Sequence, residues 1–348
     1  MTLWYRITAM LLSFAAAVTL SACGTKSSDA VSCGRDETLA AAGSPVQIRA
    51  MAVFRSAWVS QCPDRVFSYL AMDPADAVSR FTEGRVDIAG VHSQFDPAEL
   101  HGAAGRCDGG PVLHLPIVLR GISLPYNLPG VGELVLSGRL IAEIFSGEIT
   151  NWADPRITAS NPGTRIPDLP VTPVLANDDA ILTEDFTAYL RAVGHNGRFA
   201  EAQVVRARTS TVAVRTVTLT PGAIAYTADR PETIGLPSAL VDSGRGPVAL
   251  TDESAMLAID AAEFEETGDD LRLATDTLYR TREPGGYPLI GVSYDLVCAK
   301  GYGARAPSVR SFLTTAATID HAVIAAAGYI PLPKFLRERI MDVVDSLE

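Results

Sequence analysis

Leu136-Ser137-Gly138-Arg139-Leu140-Ile141-Ala142-Glu143-Ile144-Phe145-Ser146-Gly147-Glu148-Ile149-Thr150-Asn151-Trp152-Ala153-Asp154-Pro155-Arg156-Ile157 is the stretch on which the reading of the fold turns. Its first half is a short amphipathic helix with a signal at each end. Ser137 offers an N-cap hydroxyl, Leu140, Ile141, Ile144 and Phe145 recur at helical spacing, and Gly147 stops the turn. Phe145 and Trp152 are expected in the core behind it. On the C-terminal side, Asn161 to Pro173 is a loop rich in proline and glycine, followed by a helix over Thr183–Val193.

On the N-terminal side, strand and helix signals alternate. Thr38–Ala42 is a short apolar strand that turns at Gly43. Ser44 can cap the next helix, with Pro45 at its first position and Gln47 closing a capping box. That helix is expected to bury Val46, Ala50, Val53, Phe54 and Ala57. Val66–Leu70 reads as a strand, Asp73-Pro74 opens a second helix that ends near Gly84, and Val86–Val91 is a third strand. A β-α-β-α-β run predicts a parallel sheet covered by helices. Pro111–Leu124 is a long apolar strand leaving that sheet. Further strands are expected over Pro221–Thr227 and Tyr287–Cys298, and helices over Glu253–Glu266 and Pro333–Leu347. A length of 348 residues accommodates about two domains. The fold class is α/β, in two lobes.

Charge removes one class of function. Asp plus Glu number 40 against 29 Lys plus Arg, a net charge of −11. The basic residues are scattered singly, so no patch is present to hold nucleic acid.

The first 37 residues read as an address. Arg6 precedes the apolar run Ile7–Leu20, about 14 residues, too short for the ~20 a spanning helix needs. It ends in Leu20-Ser21-Ala22-Cys23, which resembles a bacterial lipobox. Residues 1–22 are thus expected to be a lipoprotein signal peptide, and residues 23–37 a polar tether from an acylated Cys23. An ordinary signal peptide with a coincidental cysteine is the competing reading. Either way the protein is exported, and the lipobox reading anchors it by lipid to the outer face of the cell membrane. Four cysteines remain, Cys33, Cys62, Cys107 and Cys298, enough for two disulfides in an exported chain. Their three possible pairings stay open. No CxxC or HxxxH spacing supports a metal site.

Tyr126-Asn127-Leu128-Pro129-Gly130-Val131, the Leu136–Ile157 string and Asn161-Pro162-Gly163 together resemble the phosphate-binding protein (PstS) family of ABC importers. Pro221-Gly222-Ala223-Ile224-Ala225-Tyr226, Tyr287-Pro288 and Gly328-Tyr329-Ile330-Pro331-Leu332-Pro333 match further family strings in order. The resemblance implies a type II periplasmic-binding-protein clamshell joined by two crossing strands. Its first lobe would be residues 38–118 plus 288–348, its second residues 119–287. All four remaining cysteines then fall in the first lobe. It also implies a small anion such as phosphate as ligand, an ABC permease as partner, a monomer and no cofactor.

The family's phosphate-contacting loops carry over poorly. Where the family has GSTF, the chain has Gly43-Ser44-Pro45-Val46, and Pro45 lacks an N–H. The second loop becomes Asp73-Pro74-Ala75-Asp76, without a hydroxyl, and the place of the family's Asp is taken by His92. The last loop, RSDGSGT in the family, falls on Ala176-Asn177-Asp178-Asp179-Ala180-Ile181-Leu182, so that only Asp178 matches. Ser44, His92, Asn177 and Asp178 are therefore the candidate ligand-binding residues. Asp73 and Asp178 read first as helix caps and only second as ligands. The nearest replacement arginines in sequence, Arg49 and Arg55, lie on a helix expected to carry them away from the first loop. Losing the arginine, one backbone donor and two hydroxyls is worth roughly 5–8 kcal/mol of phosphate affinity. No GxSxG, HExxH or SxxK string is present, and the five histidines stand apart from any nucleophile, so enzyme activity is not expected. A solute-binding lipoprotein is the leading reading. A degenerate clamshell acting as a sensor or protein-interaction module is its alternative.

Overall fold

The computed structural model describes residues 33–34, 38–96, 99–103, 105–199 and 204–348. Strand β1 (Thr38–Gly43) and helix α1 (Ile48–Gln61) begin the first sheet, joined by a 3-10 turn over 45–47. The expected capping box is not formed. Ser44 makes no side-chain cap, and Gln47 is fully buried and donates to the Tyr294 carbonyl at 3.1 Å. The proline after Ser44 tightens the first turn to 3-10 geometry, so the α-helix starts only at Ile48. It buries Ala50, Met51, Phe54 and Trp58, whereas Val46, Val53 and Ala57 are half-buried.

Strand β2 (Val66–Ala71), helix α2 (Pro74–Thr82) and strand β3 (Ile88–Val91) follow, and β1 pairs in parallel with both strands. Asp73 caps α2 by accepting from the Ala75 N–H at 2.9 Å. Strand β4 (Val112–Gly121) lies at the far edge of a five-stranded sheet of order β2-β1-β3-β11-β4, in which β11 is the late strand Ile290–Cys298.

The second lobe is built on two three-stranded sheets. Strand β5 (Val135–Ser137), helix α3 (Gly138–Phe145) and helix α4 (Pro155–Ser160) come first. Ser137 Oγ accepts from the Leu140 N–H, as its spacing predicts. Strand β6 (Thr172–Ala176), helix α5 (Ala180–Ala192), strand β7 (Val205–Ala207), helix α6 (Ser210–Leu219) and strand β8 (Ala223–Ala225) form the β7-β6-β8 sheet and its cover. Helix α7 (Pro231–Ile234), strand β9 (Leu240–Asp242) and strand β10 (Pro247–Val248) complete the β10-β9-β5 sheet. Phe145 and Trp152 are fully buried there, with Phe186 stacked on Tyr226 at 4.3 Å and the Trp152 indole donating to the Gly222 carbonyl at 2.8 Å.

Helix α8 (Asp252–Asp260) ends before the expected Glu266 and packs on α12, while the Leu271 N–H donates to the His114 carbonyl on β4. Helix α9 (Thr275–Tyr279) precedes strand β11 (Ile290–Cys298), and helices α10 (Ala306–Ala317), α11 (His321–Ala326) and α12 (Lys334–Ser346) close the chain. Strands β4 and β11 run antiparallel, from Ile290 opposite Gly121 to Cys298 opposite Val112. Just past β4 the chain changes sheets. Ser123 and Thr227 exchange backbone hydrogen bonds, and the N–H of Ala225, the last residue of β8, donates to the Pro125 carbonyl. This crossing links the two lobes of a mixed α/β fold.

Cys33 is bonded to Cys62, which directly follows α1, and Cys107, in the turn before β4, to Cys298 at the end of β11. The signal peptide, Cys23 and most of the tether lie outside the described residues. Among the described residues no helix is long and apolar enough to cross a membrane.

Candidate functional site

A cleft of about 680 Å³ opens between the lobes. One wall is formed by Pro45 and Val46 in the 3-10 turn, by Arg49 in the first turn of α1, by Met72, Asp73 and Pro74 at the start of α2, and by His92, Gly328 and Tyr329. The facing wall carries Asp178 to Ile181 and Glu184 at the start of α5, Ser210 on α6, and Thr227 to Asp229. Arg120, near the end of β4, also lines the cleft with only 8% of its side chain exposed.

The four residues singled out by sequence divide evenly. His92 and Asp178 line the cleft; Ser44 and Asn177 do not. Ser44 is fully buried, and its hydroxyl has no hydrogen-bond partner. Asn177 is exposed, with its N–H on the Ala207 carbonyl at 2.9 Å. His92 Nε2 meets Glu184 Oε2 of the opposite wall at 3.2 Å, while its Nδ1 is buried without a partner. Asp178 does not cap its own helix. It accepts from the N–H and hydroxyl of Ser210, at 2.8 and 3.1 Å, and so takes up the first free N–H of α6, whose N-cap is Thr209. The cap of α5 is Asp179, whose Oδ1 accepts from the Leu182 N–H at 2.8 Å.

Two arginines reach the cleft, which corrects the expectation that none would. Because α1 begins only at Ile48, Arg49 falls in its first turn and stays at the cleft beside Gly328 and Tyr329. Arg55 lines a groove on the outer side of the helix instead. Sequence reasoning missed Arg120 altogether. The signal was available: an arginine inside the otherwise apolar strand Pro111–Leu124 needs a partner, and the partners are carboxylates.

Arg120 is held from two sides by α5. Nη1 lies 3.3 Å from Asp179 Oδ2 and Nη2 lies 3.2 Å from Asp185 Oδ2. Burial pushes the Asp185 carboxyl up to about 7, against the opposing pull of Arg120. The hydroxyl of Tyr329 donates to the Val46 carbonyl at 2.6 Å and is raised above the usual phenol range by burial. Asp229 Oδ2 accepts from the Thr227 hydroxyl at 3.2 Å. The carboxylates Asp73, Asp178, Asp179, Glu184 and Asp229 thus face two guanidiniums, so the lining is net negative. Among the described residues, no group of three or more His, Cys, Asp or Glu is placed to hold a metal ion.

A family model for the PBP superfamily domain matches residues 27–317. Phosphate-binding protein PstS 3 of Mycobacterium tuberculosis is 30% identical over 360 aligned positions, covering 96% of both chains. PstS 2 of the same organism is 31% identical, covering 97% of this chain and 98% of that one. Among solved structures, an ABC-type phosphate transport receptor from Vibrio cholerae superposes with a TM-score of 0.56 at 13% identity, covering 84% of this chain and 99% of that one. A periplasmic phosphate-binding protein (PfluDING) bound with phosphate superposes with a TM-score of 0.59 at 18% identity, covering 88% and 93%. The relatives are binding proteins and transport receptors, not enzymes. With a superfamily match over most of its length and full-length relatives at this identity, the chain belongs to the PBP superfamily and, within it, to the PstS phosphate-binding-protein family.

Proposed function

We propose that the protein is the extracytoplasmic solute-binding component of an ABC importer, lipid-anchored through Cys23, and that phosphate is a weak ligand of its cleft. Its lobes divide near residues 118 and 288, it acts as a monomer, and its partner is an ABC permease. Family membership supports the transport role. The cleft volume also falls in the range of small-molecule sites, roughly 300–1,000 Å³.

The doubt about phosphate rests on one observation. Five carboxylates face two guanidiniums across the cleft, and Arg120 is already engaged by two carboxylates on α5. Unit charges of like sign ~5 Å apart repel by about 3 kcal/mol at an effective dielectric near 20. A divalent anion entering this lining meets that cost more than once. The loops supply little in return, since Pro45 has no N–H and Ala180 has no hydroxyl.

A thermal-shift screen of the purified protein against phosphate, sulfate, amino acids, sugars and polyamines tests this reading. At least one solute should raise the melting midpoint at micromolar concentration, with phosphate acting only at millimolar levels. A screen in which no solute shifts the midpoint would count against transport and favour a sensor or protein-interaction module.

A further inference from the structure

Asp179 lines the cleft and engages two donors, Arg120, which also lines it, and the Leu182 N–H behind it. Its Oδ1 takes the Leu182 N–H in the first turn of α5, a 13-residue helix, and its Oδ2 takes Arg120 Nη1. The Leu182 N–H belongs to the set that a helix leaves unpaired at its start, where the helix dipole favours negative charge. Arg120 is a nearly buried guanidinium, the planar fork that suits an oxyanion. Together they are the donors an external oxyanion would need, and a side chain of the protein itself already satisfies both.

We propose that Asp179 is a specificity-determining residue that weakens the binding of phosphate and similar oxyanions in the cleft by supplying the chain's own carboxylate to these donors. The mechanism is competitive. An incoming oxyanion must displace a tethered carboxylate from Leu182 and Arg120, and it must also approach that carboxylate's charge. Asp178, although adjacent, plays a different part, because its carboxylate is turned to Ser210. Asp185 holds the other side of Arg120 but caps no helix.

This inference rests on the solute-binding reading of the cleft, yet it is tested separately. The solute screen on the wild type tests that reading, whereas phosphate titrations of Asp179 variants test Asp179 alone. Calorimetric titration of inorganic phosphate would compare the wild type with Asp179→Asn, Asp179→Gly and Asp179→Gly/Arg120→Gln. Asp179→Asn keeps the cap on Leu182 while removing the charge, so it serves even if the glycine variant fails to fold. Phosphate affinity should rise at least tenfold in Asp179→Asn and further in Asp179→Gly, and the gain should vanish when Arg120 is also replaced. The proposal is overturned if folded Asp179→Asn binds phosphate no better than the wild type, or if the gain survives loss of Arg120.

Discussion

The Asp185 carboxylate lies over Gly291, so close that a Cβ on residue 291 would stand 2.3 Å from Asp185 Oδ2. Gly291 is opposite Arg120 in the β4–β11 register. The missing side chain on one crossing strand is therefore what lets α5 bring its carboxylate onto the arginine of the other. Gly291→Ala should push Asp185 off Arg120 and destabilise the fold by about 1–3 kcal/mol, the usual range for overpacking. Chemical denaturation of the two proteins would show it. Equal midpoints would mean that the absence of a side chain at residue 291 is not needed for the Asp185–Arg120 contact.

Asp295 on β11 is fully buried beside Gln47, and among the described residues neither of its carboxylate oxygens makes a hydrogen bond of ordinary geometry. Burial raises it from 3.8 to about 8, and Asp185 to about 7. Over the interval between the unfolded and folded values, the folded protein binds protons that the unfolded chain releases. Stability is then greatest below the unfolded value and declines as pH rises towards the folded one. The melting midpoint should fall between about pH 5 and about pH 8.5, and Asp295→Asn should flatten that slope and melt higher than the wild type at the alkaline end. Parallel curves for the two proteins would contradict this.

The two disulfides close loops of very different length. Cys107 and Cys298 are 191 positions apart, and Cys33 and Cys62 are 29 apart. In the chain-entropy description, the longer loop is worth roughly 5 kcal/mol and the shorter roughly 4 kcal/mol. Cys107 and Cys298 are also fully buried, so their replacement disturbs packing as well. Cys107→Ala/Cys298→Ala should therefore melt below Cys33→Ala/Cys62→Ala. The reverse order would show that the short bridge holds the lobe together.

Cys23 follows Leu20-Ser21-Ala22 at the end of the apolar N-terminal run. Cys23→Ser should move the protein from the membrane fraction to the soluble exported fraction. Retention at the wild-type level would rule out lipid anchoring at this residue.

Much of the fold was legible because its signals are local. Ser137 and Asp73 cap the helices their spacing predicts, and β1, β2 and β3 alternate with α1 and α2 as a parallel sheet requires. Short strands such as β5, β7, β9 and β10, of three residues or fewer, leave too little periodicity to read. The site was less legible, because its decisive contacts are long-range. Arg120 meets Asp179 and Asp185 across 59 and 65 positions. Asp178 reads as a cap of the helix that follows it, but Asp179 caps that helix, and Asp178 binds Ser210, 32 positions on, at the start of α6. Arg49 reaches the cleft through a 3-10 turn that a capping-box reading of Ser44 and Gln47 does not anticipate.

Calorimetric titration of the wild-type protein with inorganic phosphate at neutral pH tests the central claim most directly. With Asp179 occupying Leu182 and Arg120 and four further carboxylates lining the cleft, no binding tighter than millimolar should be seen. A micromolar or tighter phosphate affinity would contradict the account, because it would mean that the ligand displaces Asp179 and outweighs the charge around it.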